Sequence, residues 1–408
     1  MSAHILSLSA FFVFMIFAAV CIFFWWKKKR TPPTQKPVED LQILASAESL
    51  EILHAPAKLP LPARLNDLSY KEGPTKWKKA MEGIGASLQA QGVAHIILLH
   101  GTFAGDDPLD IFSNTFEQKS WQTKWQKIIL PFRHLRHAYR VLKDRVIGNV
   151  GNFTPQYCAT LEQGLQAKIQ VHCFHWPSGN HHLARIRGLI HLIDLILSLK
   201  VQKTERVLLI GHSHAGQLFA ALSQMSQRPA HFCKILGQDL GLLSDATEFQ
   251  RKLEGLMNLN LDLATWGAAP RYKWHLPAHW SLVHLLNFRK IPPRFPNPWK
   301  LLTAGYGDSI YLLAGPGSDT WAPFRRDRKL NRLLDSVFGV GLSLHHWWFS
   351  IRTGIKLHNQ GRHFFIDYHD AGASRFFKSF LGHGIYTHPG LMLFNFEIMV
   401  TGLYKEKK

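Results

Sequence analysis

Residues 206–225 read RVLLIGHSHAGQLFAALSQM, and the fold of the chain turns on how this stretch is parsed. Val207-Leu208-Leu209-Ile210 is a short apolar run of β-favouring residues, the pattern of a strand covered on both faces. Gly211-His212-Ser213-His214-Ala215-Gly216 then supplies a turn. From Ala215 onward, Leu218, Phe219 and Leu222 recur at helical spacing until Arg228-Pro229 breaks the pattern. The stretch therefore predicts strand, tight turn and helix, with a serine at the turn. Such a turn lifts the Ser213 hydroxyl above the sheet edge, and small neighbours let strand and helix pass closely. The helix N-terminus favours negative charge developing beside it.

Working upstream, His95 to Leu99 reads as a buried strand leading into His100-Gly101-Thr102-Phe103-Ala104-Gly105-Asp106. Residues 107–165 read as an insertion, with Trp121, Trp125 and a basic run from Arg133 to Arg140 that suits either a helix face or phosphate contact. Ile169 to Phe174 predicts the next strand, and Leu183, Ile186, Ile190, Ile193 and Leu197 mark a helix over 181–199. Downstream, strands are expected at Leu259–Trp266, Ser309–Ala314 and His363–Tyr368, and an apolar segment from Leu391 to Tyr404 closes the chain. Arg271 to Lys300 carries Trp274, Trp280, Phe288, Phe295 and Trp299 among prolines and cations, which suits a cap over a site.

This order of elements, with Ser213 at its turn, resembles the α/β-hydrolase family. The family's G-x-S-x-G stands here as Gly211-His212-Ser213-His214-Ala215, with Ala in the last place. The resemblance implies a mostly parallel central sheet flanked by helices and a Ser-acid-His triad in that chain order. It also implies an oxyanion hole built from the backbone N–H of His214 and of Thr102 or Phe103. Asp319, in the Gly-rich turn after the expected seventh strand, is the favoured acid. Asp308, before that strand, is the weaker candidate, and Asp262 and Asp367 lie inside strand patterns. His383, between two glycines, is the favoured base, with His369 as runner-up. The implied activity is a serine hydrolase acting on carboxylic esters of lipids or other amphiphiles. Acyl transfer, thioester or amide cleavage, and a catalytically silent scaffold are the rivals. No cofactor is expected. His212 and His214 invite a metal reading with His181-His182 or His345-His346, but no carboxylate or cysteine stands at a ligand spacing beside them, so no metal is expected.

The rest of the chain bears on location. Ile5 to Trp26 is free of charged side chains, ends in Trp25-Trp26 and is followed by Lys27-Lys28-Lys29-Arg30. At about 1.5 Å per residue it is long enough to cross a hydrocarbon core of about 30 Å, and its charge follows the apolar run rather than preceding it. It is expected to be an uncleaved anchor, leaving the N-terminus outside and the body cytoplasmic. Residues 1–30 thus form the anchor, 31–91 a Pro-rich linker and juxtamembrane segment (with a short amphipathic helix over 38–54 and Trp77 on a surface patch), and 92–408 the catalytic domain with 271–300 as its cap.

The chain has 48 Lys and Arg against 28 Asp and Glu, a formal charge of +20. Such an excess points to an anionic partner, here the lipid surface, since no nucleic-acid-reading motif is present. The four cysteines form no C-x-x-C pair and suggest no disulfide framework.

Overall fold

A computed structural model describes residues 52–54, 75–101, 105, 144–145, 148–291, 297, 299–300, 303–314, 322, 324–338, 356–369 and 380–404. Its centre is a seven-stranded sheet. In chain order the strands are β1 (Ile52–His54), β2 (Val93–Leu99), β3 (Gln170–Phe174), β4 (Arg206–His212), β5 (Asn260–Trp266), β6 (Ser281–Asn287) and β7 (Arg362–Asp367). They lie in the order β1-β7-β6-β5-β4-β2-β3, and every neighbouring pair is parallel. The chain is an α/β protein.

Parallel strands need crossovers, and helices supply them on both faces. Alternate residues of each strand point to opposite faces. Ile97, Leu99, Val207, Leu209, Leu261 and Leu263 meet α3 (His182–Ser198), α4 (Ala215–Gln227), α5 (Pro229–Cys233) and α6 (Ala246–Met257). Ile96, Leu98, Leu208, Ile210, Ala264 and Trp266 meet α1 (Thr75–Ala90), α2 (Pro155–Leu165) and α9 (Met392–Tyr404). Two further helices are α7 (Ser309–Leu313) and α8 (Arg325–Phe338). At the amino end of the strands Asp262 accepts two bonds from Arg206 (2.7 and 2.6 Å) and one from the Tyr404 hydroxyl (2.6 Å), joining β4, β5 and α9.

Several expectations need correction. Residues 281–287 are no cap: they form β6, an interior strand hydrogen-bonded to β5 and β7. Their run SLVHLLN is nearly continuous in apolar residues, a signal masked in sequence by the prolines and tryptophans around it. Residues 309–313, expected as a strand, are helical, because the Asp308 carboxylate accepts the Tyr311 N–H (2.8 Å) as an N-cap. The folded body, expected to begin near Gly92, starts earlier, for α1 precedes it and buries Trp77, Met81 and Leu88 in the core. Trp77 is therefore a core residue rather than a surface one, set on the apolar stripe that helical spacing makes with Met81 and Leu88. Ile52–His54, within the segment expected as a juxtamembrane helix, is an edge strand on β7. Cys158 and Cys173, in a chain expected to have no disulfide framework, are joined across α2 and β3 with their Cα atoms 6.3 Å apart. The expected anchor Ile5–Trp26 and most of 107–154 lie outside the described residues. Among the described residues no helix is long and apolar enough to cross a membrane.

Candidate active site

Strand β4 ends at His212, α4 begins at Ala215, and Ser213 makes the turn between them with φ of +54°. A left-handed backbone at a non-glycine residue is strained and persists only where its surroundings hold it. Here the Ser213 N–H donates to the Trp266 carbonyl at the end of β5 (2.9 Å), and the Ser213 carbonyl accepts from Gly216 N–H (3.0 Å). The turn also needs its small residues. A Cβ on Gly211 would stand 2.7 Å from the Phe219 ring, and one on Gly216 would stand 2.5 Å from Ala268 Cβ. At the end of β2, a Cβ on Gly101 would come within 2.9 Å of Ser213 Cβ, so the segment leaving β2 crosses directly against the serine.

His383 meets this serine. Its Nε2 lies 2.7 Å from Ser213 Oγ, and its Nδ1 lies 2.7 Å from Asp308 Oδ2. Asp308, not Asp319, is the carboxylate on the imidazole. Asp319 lies outside the described residues. The difference follows from the N-cap already noted: one Asp308 oxygen starts α7 while the other faces His383. Tyr386 supports that second oxygen, donating to Oδ2 (3.0 Å) while accepting the Asn287 N–H (2.7 Å). Burial first, and then the neighbouring Asp308 carboxylate, push the Tyr386 phenol well above its usual pKa, so it remains a donor. Asp308 N–H donates to the Asn287 carbonyl (2.9 Å), which ties the acid to the carboxyl end of β6.

The chain before His383 is held as firmly. Phe380, Leu381 and Gly382 all have positive φ, and a Cβ on Gly382 would sit 2.5 Å from the Gly307 carbonyl oxygen. The Gly382 carbonyl accepts from Asn287 Nδ2 (2.9 Å) and the Leu381 carbonyl from Ser309 N–H (3.0 Å). The His383 carbonyl accepts the Nε2–H of His212 (2.7 Å). Burial, and after it the His383 charge, hold the His212 pKa well below the ordinary value, so the flanking imidazole stays neutral and serves as a backbone clamp.

Behind the acid, the buried Lys356 donates to the carbonyls of Tyr311 (2.8 Å), Leu312 (2.7 Å) and Ala314 (2.7 Å), capping the C-terminus of α7. Burial lowers its ammonium pKa to about 7 against the opposing pull of Asp308. In return the Tyr311 hydroxyl donates to the Lys356 carbonyl.

Ser213 and His383 open onto a cleft lined by His214, Gln217, Pro270, Arg271, Ile310 and Tyr311. It lies at the carboxyl ends of the strands, where open α/β sheets place their sites. His214 is the N-cap of α4, while Thr102 and Phe103, the other expected oxyanion donors, lie outside the described residues. Of the other candidates, Asp262 is held by Arg206 and Tyr404, and Asp367 binds Arg289 (2.7 Å). The half-exposed His369 lies 3.8 Å from Asp367. His181 caps α3, and His182 bonds Tyr272 and Asp335. Among the described residues no three His, Cys, Asp or Glu side chains converge as metal ligands.

Sequence reasoning overlooked Tyr386, Asn287 and Lys356. Tyr386 was within reach, three residues after His383 in the same short Gly-bounded segment. Asn287 and Lys356 act from distant parts of the chain and carry no local signal. Comparison of the chain with family profiles, curated proteins and solved structures finds no match.

Proposed function

We propose that the chain is a serine hydrolase of the α/β-hydrolase type that cleaves carboxylic esters of lipids or other amphiphiles. One observation carries the reading: a strained serine, a histidine and a fully buried carboxylate in series, with 2.7 Å at each junction. In this mechanism Ser213 Oγ attacks the ester carbonyl as His383 Nε2 takes its proton. Asp308 keeps the Nδ1 proton in place and stabilises the imidazolium. The His214 N–H and an N–H from Thr102 or Phe103 receive the tetrahedral oxyanion. His383 returns the proton to the departing alcohol, leaving an acyl-Ser213. Water, deprotonated by His383, then releases the acid and restores the serine. The N-terminal apolar stretch supports a location beside a membrane, with an amphiphile as the substrate within reach. The basic flank favours a cytoplasmic body and the Cys158–Cys173 bridge an oxidising compartment, so protease protection in intact cells decides the side.

The test is fluorophosphonate labelling of the full chain in detergent, with Ser213→Ala, Asp308→Asn and His383→Gln alongside. Labelling of the wild type and its loss in all three folded variants supports the reading. A folded wild type that is not labelled overturns it and favours a scaffold.

A further inference from the structure

Helix α8 has two unlike sides. At about 100° per residue, Arg325, Arg326, Lys329, Arg332, Leu333 and Ser336 fall within a single arc of about 120°, and all six are exposed. Asp327, Leu334 and Phe338 fall on the opposite arc and are buried. The exposed arc holds four cations and no acid. Among the described residues none of the four makes a salt bridge. Leu333 is 44% exposed in their midst, and Phe324, just before the helix, is 41% exposed.

The buried side fixes the helix beside the cleft. Asp335 accepts from Arg271 (3.1 Å), a residue of the cleft wall, and bonds His182 Nε2 (2.7 Å) at the start of α3. Asn331 Oδ1 accepts the Leu183 N–H (3.0 Å), and the Phe338 ring packs 5.2 Å from that of Tyr272. The start of α3 follows the carboxyl end of β3, so α8 stands on the same edge of the sheet as Ser213.

We propose that the exposed face of α8 docks on an anionic lipid bilayer, beside the mouth of the Ser213 cleft. Four unpaired cations attract anionic headgroups. Leu333 and Phe324 add apolar contacts that reach the acyl boundary, and these favour a bilayer over a purely ionic partner such as RNA. The apolar segment Ile5–Trp26 supplies a reason for the chain to be held at such a surface. The docking rests on the proposed hydrolase only for its purpose, which is to present bilayer esters to the cleft.

The test uses the full chain with Cys21→Ser and Ser336→Cys, labelled at residue 336 with an environment-sensitive fluorophore. The protein is reconstituted in nanodiscs of phosphatidylcholine alone or with phosphatidylserine. Blue-shifted emission in the phosphatidylserine discs only, reversed by high salt, is the expected result. Combined Arg325→Glu, Arg326→Glu, Lys329→Glu and Arg332→Glu should lower the docked fraction at least tenfold, at about fivefold per cation near an anionic surface. Leu333→Ser alone should lower it severalfold with the charge intact. Equal emission in both discs, or a shift that survives the four reversals, overturns the proposal. So does a shift produced in neutral discs by added single-stranded RNA, which assigns the face to nucleic acid. Fluorophosphonate labelling of the same samples separates the two readings. A reactive Ser213 with α8 undocked removes only the docking, and a docked α8 with an unreactive serine removes only the hydrolase.

Discussion

The histidine at Ser213 and a stack of three histidines elsewhere in the protein differ in their partners. His383 sits between a hydroxyl and the Asp308 carboxylate. His284, His358 and His363 form a stack between β6, β7 and the loop before β7, with ring centroids 4.0 and 4.7 Å from His284. Their partners are neutral. His284 donates to the Gln360 carbonyl (3.0 Å) and accepts from Thr265 (2.6 Å). His358 donates to the Ala268 carbonyl (2.8 Å) and accepts from Trp274 Nε1 (3.0 Å). His363 accepts the His358 N–H (3.0 Å). Burial drives the His284 pKa well below the ordinary value and lowers those of His358 and His363 to about 3 and about 4. Burial among neutral partners disfavours the charged form of a histidine. A carboxylate on the far nitrogen is what lets one accept a proton during a reaction.

The strongest way to break this contrast is to give His383 a neutral partner. Asp308→Asn should lower the fluorophosphonate labelling rate on the order of 10³–10⁴-fold, while Asp319→Asn stays near wild type. The opposite result would move the acid to Asp319.

Acid should act on the stack next. Its folded pKa values lie below the ordinary 6.5, so the folded state binds fewer protons than the unfolded chain. Its full contribution is present above pH 6.5 and is lost as pH falls towards 4 and 3. Each ring adds up to about 1.4 kcal/mol per pH unit to that slope, read from denaturant midpoints across pH. A flat stability between pH 6.5 and 4 would show that the stack is not neutral.

His358→Ala leaves Trp274 Nε1 and the Ala268 carbonyl without that ring, and should cost about 2–4 kcal/mol. Protein that remains folded should keep its wild-type labelling rate. Lys356→Met should cost about 1–2 kcal/mol through three uncapped carbonyls and slow labelling severalfold by loosening α7, with Lys356→Arg recovering part of both. The smallest effect belongs to His369→Ala, where labelling and stability should match the wild type. A clear loss of labelling there would reopen the choice of base.

Much of the sheet could be read from local pattern. Strands β2 to β5 and β7, together with α3 and α4, follow their apolar patterns to within a few residues. Ser213 and His383 were legible for similar reasons, one from its strand-turn-helix setting and the other from the glycines on either side. Strand β6 and helix α7 were not. SLVHLLN is hidden among prolines and tryptophans, and SIYLL suits a strand until a capping Asp308 commits it to a helix. That one capping bond also decided the acid, since it sets where the Asp308 carboxylate stands.

The sequence by itself determined the α/β alternation, the serine at its turn and the excess of positive charge, because these depend on residues within a few positions of one another. The tertiary structure alone decided that Asp308 faces His383, that Tyr386 and Asn287 hold it there, and that three other histidines stack against neutral partners. A partner for an imidazole comes from segments brought together from up to 170 residues apart, and spacing along the chain carries no record of that approach.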